Sequence, residues 1–440
     1  MTRFVIRSIR CLDKETFWKP DWGVQGGTIV SGVSLVLRAF LNCSFLLIIA
    51  RLLGTFYYGS FSVLYSGFTI ISFILGQAAE TSLTKYVAEA RSSQTSYAVL
   101  LSKATGWLSV LSLILIVSGF LARDIVVARL FPEAPYLFYF LLGIGILESW
   151  DMALRGILRG MRAIGMYAVS VMIQMSLRLV LGVLLTYWTG GQLVGTGVGI
   201  FVAMAISVLV TICFLRHLRH YKVYADIQYD TTGISKYLAS MIATFCLMAF
   251  YYHSGPLLIK IQKVEFANEL AGMFMVAAYF SRVLLQLSEP LTINLLPRLS
   301  GMDVQGNADK AWHYIVQSYQ LIVPWTLLSV IGLYFFGPWV VRTFHREYLY
   351  SNTGMGMLGL NSAFMTLHSI ASQLLLSRSK TNVVVMSWLV GCVILTMVSL
   401  LGLLWSVTTR LEIGYVASSA LMLGIVLCGA FLCTHNNKTQ

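Results

Sequence analysis

Residues 27–86 read GTIVSGVSLVLRAFLNCSFLLIIARLLGTFYYGSFSVLYSGFTIISFILGQAAETSLTKY. The first half is an unbroken apolar run with the length a helix needs to cross a bilayer, and Arg38 stands near its middle. A charge at that depth costs about 2.5–3.5 kcal/mol on insertion scales, so it faces protein or water rather than lipid. A second apolar run follows through a short turn ending in Tyr57-Tyr58-Gly59. The stretch predicts a helical hairpin with a cation on its inner side.

The same pattern recurs along the whole chain of 440 residues, of which 57% are hydrophobic and 11% charged, with a mean hydropathy of +0.76. Soluble domains carry about 25% charged residues, which excludes a water-soluble globule. Only helices and closed barrels satisfy their backbone in lipid, and the runs lack the two-residue alternation of barrel strands. The fold class is therefore an all-α polytopic membrane protein with about 12 transmembrane helices. The spans expected are 27–50, 58–79, 98–121, 136–154, 167–188, 193–215, 237–260, 270–291, 317–337, 355–376, 382–407 and 413–433.

Basic residues set the orientation. Of the 31 Lys and Arg, 20 fall in the termini and one set of loops, 8 in the opposite set, and 3 inside spans. Both ends are accordingly expected in the cytoplasm. The longest polar connection, RHLRHYKVYADIQYDTTGISK from Arg216 to Lys236, divides the chain into six helices and six. This gives a cytoplasmic segment 1–26, a first lobe 27–218, an inter-lobe loop 219–236, a second lobe 237–433 and a tail 434–440. A faint internal echo, in which Gly59 and Gly272 open the even-numbered helices, fits two parallel repeats. Residues 1–26 are polar and of mixed charge, so no cleavable signal is expected there.

The net charge of +13 does not indicate nucleic acid, because the basic residues are scattered over short loops. Cys11, Cys43, Cys213, Cys246, Cys392, Cys428 and Cys433 lack metal spacing and read as small apolar fillers. The glycines of Gly195-Thr-Gly197-Val-Gly199, and Gly354, Gly356 and Gly359, have the spacing of close helix packing. The sequence holds no GxxxxGK[ST] loop, HExxH or GxSxG, so neither nucleotide hydrolysis by that route nor those hydrolytic chemistries are expected. No cofactor and no metal are called for, and the chain is read as a non-enzyme.

Three stretches carry a family resemblance. They are ARLLGTFYYGSFSVLYSG (Ala50–Gly67), MALRGILRGMRAIGMY (Met152–Tyr167) and LLPRLSGMDVQGNADKAW (Leu295–Trp312). They resemble the first hairpin, a basic Gly-spaced connection and a Pro-containing exit of the Wzx-type polysaccharide flippases. These belong to the multidrug/oligosaccharidyl-lipid/polysaccharide exporter superfamily. The resemblance implies two six-helix lobes around a central cavity that opens alternately to each face. It implies a cargo too, an oligosaccharide on a polyprenyl diphosphate moved to the outer leaflet of a bacterial or archaeal cell membrane. The implied partners are that lipid-linked anionic glycan, membrane lipids, H⁺ or Na⁺, and the polysaccharide polymerase and chain-length machinery. No nucleic acid is among them. The related flippase of peptidoglycan precursors has two further helices that this chain lacks.

A diphosphate needs cations, and arginine donates bidentately while staying charged when buried. Arg38, Arg178 and Arg282 each lie near the middle of a span and are the candidate cargo-binding residues. The competing reading is that each neutralises a carboxylate or caps a broken helix. The ion-coupling candidates are Glu148, Asp151 and His368, with Glu289 a further carboxylate inside a span. Glu148, Asp151 and Arg155 recur at i, i+3 and i+7 and share a helix face, so an Asp151–Arg155 ion pair competes with ion binding. His368 titrates near neutral pH in water but is more often hydrogen-bonded inside a bundle. Two other functions remain: a cation-coupled multidrug exporter of the same superfamily, which favours acidic residues at mid-depth, and a membrane-embedded glycan polymerase or ligase, which favours a large outer loop.

Overall fold

The computed structural model describes residues 24–92, 98–218, 234–283, 308–378, 380–401 and 405–436. Among them every regular element is helical. In chain order these are α1 (Val24–Ser72), a π-helical turn (Phe73–Gln77), α2 (Ala78–Ser92), α3 (Ala98–Leu121), α4 (Arg123–Leu130), α5 (Leu137–Gly160), α6 (Ile164–Trp188) and α7 (Leu193–Leu218). There follow α8 (Ile234–Ile261), α9 over 267–283, α10 (Ala308–Phe344), α11 (Asn352–Ser377), α12 (Thr381–Leu400) and α13 (Val407–Asn436).

Nine helical stretches among the described residues are long and apolar enough to cross a membrane. One of them, Val36–Ala88, has 53 residues. At 1.5 Å per residue it would measure about 80 Å, far more than the ~30 Å hydrocarbon core, so it is two crossings. The break is Gly54, whose φ of 70° and ψ of 175° are non-helical, a conformation glycine reaches at no steric cost. The expected turn ending in Tyr57-Tyr58-Gly59 is thus corrected: those residues are already helical, and one glycine replaces the loop. Helix α11 spans about 39 Å at its 26 residues. Its lower hydropathy comes from Asn361, Ser362, Thr366, His368 and Ser372, all buried inside the protein. The eighth expected span is helical to residue 283, and its remainder, with Glu289, lies outside the described residues. So do residues 219–233 of the inter-lobe connection.

By packing, the chain falls into two units, one of residues 1–53 and 64–249, the other of 54–63 and 250–440. In the first, α2 and α5 meet through Leu75, Ala79, Leu83, Val87, Ala153 and Ile157. Lipid is as apolar as leucine, so such helices associate through close backbone approach rather than water exclusion. The glycine triplet of α7 shows this: a Cβ at Gly199 would lie 2.6 Å from Cα of Gly182 on α6. In the second unit the core is aromatic, with Tyr251, Phe274, Trp388 and Tyr415 buried. Gly59 and Gly272 also meet there, a Cβ on Gly272 falling 3.2 Å from the Gly59 nitrogen.

Candidate functional site

The first unit carries its polar groups along one face of α5. Asp151 is fully buried and accepts hydrogen bonds from Ser207 Oγ at 2.8 Å and Thr211 Oγ1 at 2.9 Å, both on α7. Arg155 Nη2 stands 3.4 Å from Asp151 Oδ2, and its Nη1 donates to Gln174 Oε1 on α6 at 2.7 Å. The ion pair expected from the i, i+4 spacing is therefore present. Three donors meet the carboxylate, which is what holds an ionised group away from water.

One turn earlier, Glu148 Oε1 accepts from Arg178 Nη2 at 2.9 Å, the two side chains being 12% and 3% exposed. The Arg178 guanidinium also lies 6.0 Å from the Tyr65 ring and 5.8 Å from the Phe68 ring, both on α1. Arg178 is neutralised in this structure, the alternative that its position in the sequence left open. Glu148 Oε2 is buried and has no hydrogen-bond partner. At the other end of the face, Arg159 Nη1 lies 3.9 Å from Glu80 Oε1 and the guanidinium sits 5.8 Å from the Tyr167 ring.

Arg38 is half-buried on α1 and makes no hydrogen bond or ion pair among the described residues. One turn along the helix, Asn42 Nδ2 donates to Tyr65 Oη at 3.1 Å. Arg38 is close enough to act electrostatically on Tyr167.

In the second unit Arg282 is half-buried on α9, with its guanidinium 5.3 Å from the Tyr252 ring. Its Nε is buried without a partner, and no carboxylate among the described residues pairs with it. His368 is buried. Its Nε2 lies 3.0 Å from Ser387 Oγ and its ring meets Trp388 edge-on at 5.3 Å, while Nδ1 has no partner. Nearby, Tyr251 Oη donates to Asn361 Oδ1 at 2.8 Å, and Tyr415 Oη donates to the Tyr251 carbonyl at 3.0 Å. In the 345–351 connection, burial pushes the Tyr350 phenol well above its ordinary pKa, and the Glu412 carboxylate adds to the shift.

Several of these groups were not singled out from the sequence: Gln174, Ser207, Thr211, Glu80 and the buried Glu412. A signal existed for some of them. Ser170, Gln174 and Arg178 recur at i, i+4 and i+8, and Ser207 and Thr211 at i, i+4, so each set lines one helix face. Which carboxylate such a stripe meets is decided by another helix.

An all-helical chain with paired charges buried inside apolar helices is the architecture of a polytopic membrane transporter. Solved structures carry the same fold. An inward-facing multidrug resistance MATE family transporter of the MOP superfamily matches with a TM-score of 0.76 at 11% identity, covering 94% of this chain and 99% of that one. The outward-facing conformation of a transporter of that description matches with a TM-score of 0.67 at 12% identity, over 96% and 98%. A MOP superfamily transporter from Pyrococcus furiosus, described as having a binding pocket of reverse polarity that suggests a different function, matches with 0.68 at 12%, over 94% and 96%. No curated protein matches in sequence. A family profile described as "Polysaccharide biosynthesis protein" covers residues 24–303, and the chain belongs to this family of Wzx-like flippases. It is an integral membrane transporter protein of the MOP fold.

Proposed function

We propose that the protein flips an oligosaccharide linked to a polyprenyl diphosphate from the cytoplasmic to the outer leaflet of the cell membrane, by alternating access and without catalysing a reaction on it. The observation that carries this reading is that Arg38 and Arg282, inside apolar helices, make no hydrogen bond or ion pair among the described residues. An unpaired guanidinium at that depth is costly unless an anion or water meets it, and a diphosphate matches its bidentate donors. The carboxylates that a cationic drug would need are spent: Glu148 on Arg178 and Asp151 on Arg155, Ser207 and Thr211. Pocket polarity differs among proteins of this fold, as the description of the Pyrococcus furiosus transporter states.

Of the three coupling candidates, Glu148 has an open valence, its buried Oε2. A proton bound there removes the charge that holds Arg178 and frees this third arginine for the cargo. Asp151 is filled by its donors and His368 is tied to Ser387. Both termini in the cytoplasm, and contact with the polymerase and chain-length machinery, complete the reading.

The test is glycan display in a strain depending on this chain. Arg38→Ala is expected to abolish surface glycan while membrane insertion stays normal. Arg38→Lys should restore part of it if charge suffices without the planar fork. Full display in Arg38→Ala overturns the assignment of Arg38.

A further inference from the structure

Inside the first unit, α2, α3 and the start of α8 enclose an apolar pocket of about 440 Å³ including its open mouth. Leu75, Leu83, Leu108 and Leu111 form its walls, Trp107 stands at its rim, and Ser82 is the polar exception. Three observations point to a ligand. Ser82 is 5% exposed and its hydroxyl has no hydrogen-bond partner. Most buried helical serines here bond back to the preceding turn, as Ser149 does to the Gly145 carbonyl at 2.7 Å; Ser82 leaves its hydroxyl on the pocket.

The second observation is charge. Lys85 and Lys103 are exposed and directly precede the lining residues Tyr86 and Ala104, with Lys85 Nζ lying 5.3 Å from the Tyr86 ring centroid. Residues 93–97 join α2 to α3, so both lysines stand toward the same end of this hairpin. The lining runs away from that end, to Leu75 on α2 and Leu111 on α3. The eleven residues from Tyr86 back to Leu75 make it about 16 Å long.

The third is the setting. On α3, Trp107, Val110, Leu113, Ile114, Val117, Phe120 and Leu121 are all exposed, so the helix faces the bilayer and the pocket opens beside it.

A slot with cations at one end, a lone hydroxyl one turn deeper and hydrocarbon walls beyond has the polarity order of a glycerophospholipid. We propose that it binds one anionic glycerophospholipid. Its phosphate lies against Lys85 and Lys103, Ser82 donates to an acyl-ester carbonyl, and one acyl chain fills the walls from Leu83 to Leu75 and Leu111. Polyprenyl phosphates offer phosphate and hydrocarbon but no ester carbonyl, and phosphatidylcholine lacks the net negative charge.

The test is native mass spectrometry of the detergent-purified full chain, titrated separately with phosphatidylglycerol, phosphatidylcholine and polyprenyl phosphate. One phosphatidylglycerol per chain is expected to remain bound. The double variant K85A/K103A should weaken it about thirty-fold, the worth of two basic residues at an anionic lipid surface. Ala104→Phe, which fills the slot and leaves the lysines, should remove it as well, and Ser82→Ala should weaken phosphatidylglycerol alone. Elution profile and thermal melting confirm that each variant is folded, and the conservative K85R/K103R is expected to retain the lipid. Equal retention of phosphatidylcholine, unchanged binding in K85A/K103A or in A104F, or preferential occupancy by polyprenyl phosphate would each overturn the proposal. The readout is binding and does not depend on what the protein transports.

Discussion

Arg178 Nη2 donates to Glu148 Oε1 at 2.9 Å, joining α6 to α5 inside the first unit with both side chains nearly excluded from solvent. Removing one partner of a buried pair strands the other charge, at a cost of about 3–5 kcal/mol. Glu148→Ala is therefore expected to lower the melting temperature of the detergent-solubilised protein by more than the double variant Glu148→Gln/Arg178→Gln does. Equal melting temperatures for the two would show that the pair carries no such coupling.

Glu148→Gln alone mimics a protonated carboxyl. If Glu148 is the coupling site, this variant should insert normally yet move glycan at a rate insensitive to collapse of the proton gradient. Retained sensitivity would transfer coupling to another group.

Asp151 is met by Ser207, Thr211 and Arg155 within 3.4 Å. Asp151→Asn keeps the shape but replaces one acceptor oxygen by a donor, leaving at least one buried donor unmatched at a cost of about 1–3 kcal/mol. The expected result is lower stability, with transport reduced only in proportion to the folded protein. Loss of gradient dependence in folded Asp151→Asn would move the coupling site here.

His368 is held by Ser387 and set against Trp388. Ser387→Ala leaves both ring nitrogens of His368 without a side-chain partner, and is expected to destabilise by about 1–3 kcal/mol with gradient dependence unchanged. Chemical denaturation followed by tryptophan fluorescence, beside a transport assay at two external pH values, separates these outcomes.

Gly156 of α5 faces α2 so closely that a Cβ would lie 2.6 Å from the Glu80 carbonyl oxygen. Gly156→Ala must separate the helices that carry Glu80 and Arg159, costing about 1–3 kcal/mol as overpacking does. Gly106 of α3 has nothing within 4 Å of a Cβ, so Gly106→Ala is expected to be neutral or stabilising by about 0.5–1 kcal/mol. The comparison is one of thermal melts.

The membrane-spanning helical class was legible because the bilayer imposes it: apolar runs of bilayer length admit helices whatever their neighbours do. The mid-span arginines and the Asp151–Arg155 pair were legible for a local reason, since a lone charge in an apolar run and an i, i+4 spacing are properties of one helix. The turn at Tyr57-Tyr58-Gly59 was misplaced because a single glycine at positive φ, Gly54, can reverse the chain without any polar loop to mark it.

What only the tertiary structure decided is which charges are spent. Arg38, Arg178 and Arg282 look alike in sequence, each a guanidinium inside an apolar helix. Arg178 meets Glu148 from a helix 30 residues away in the chain, while no described carboxylate reaches Arg38 or Arg282. The cost of burying a charge is set by the segment that carries it, but its neutralisation is set by a partner on another helix. Insertion can thus be read along one dimension, and pairing cannot.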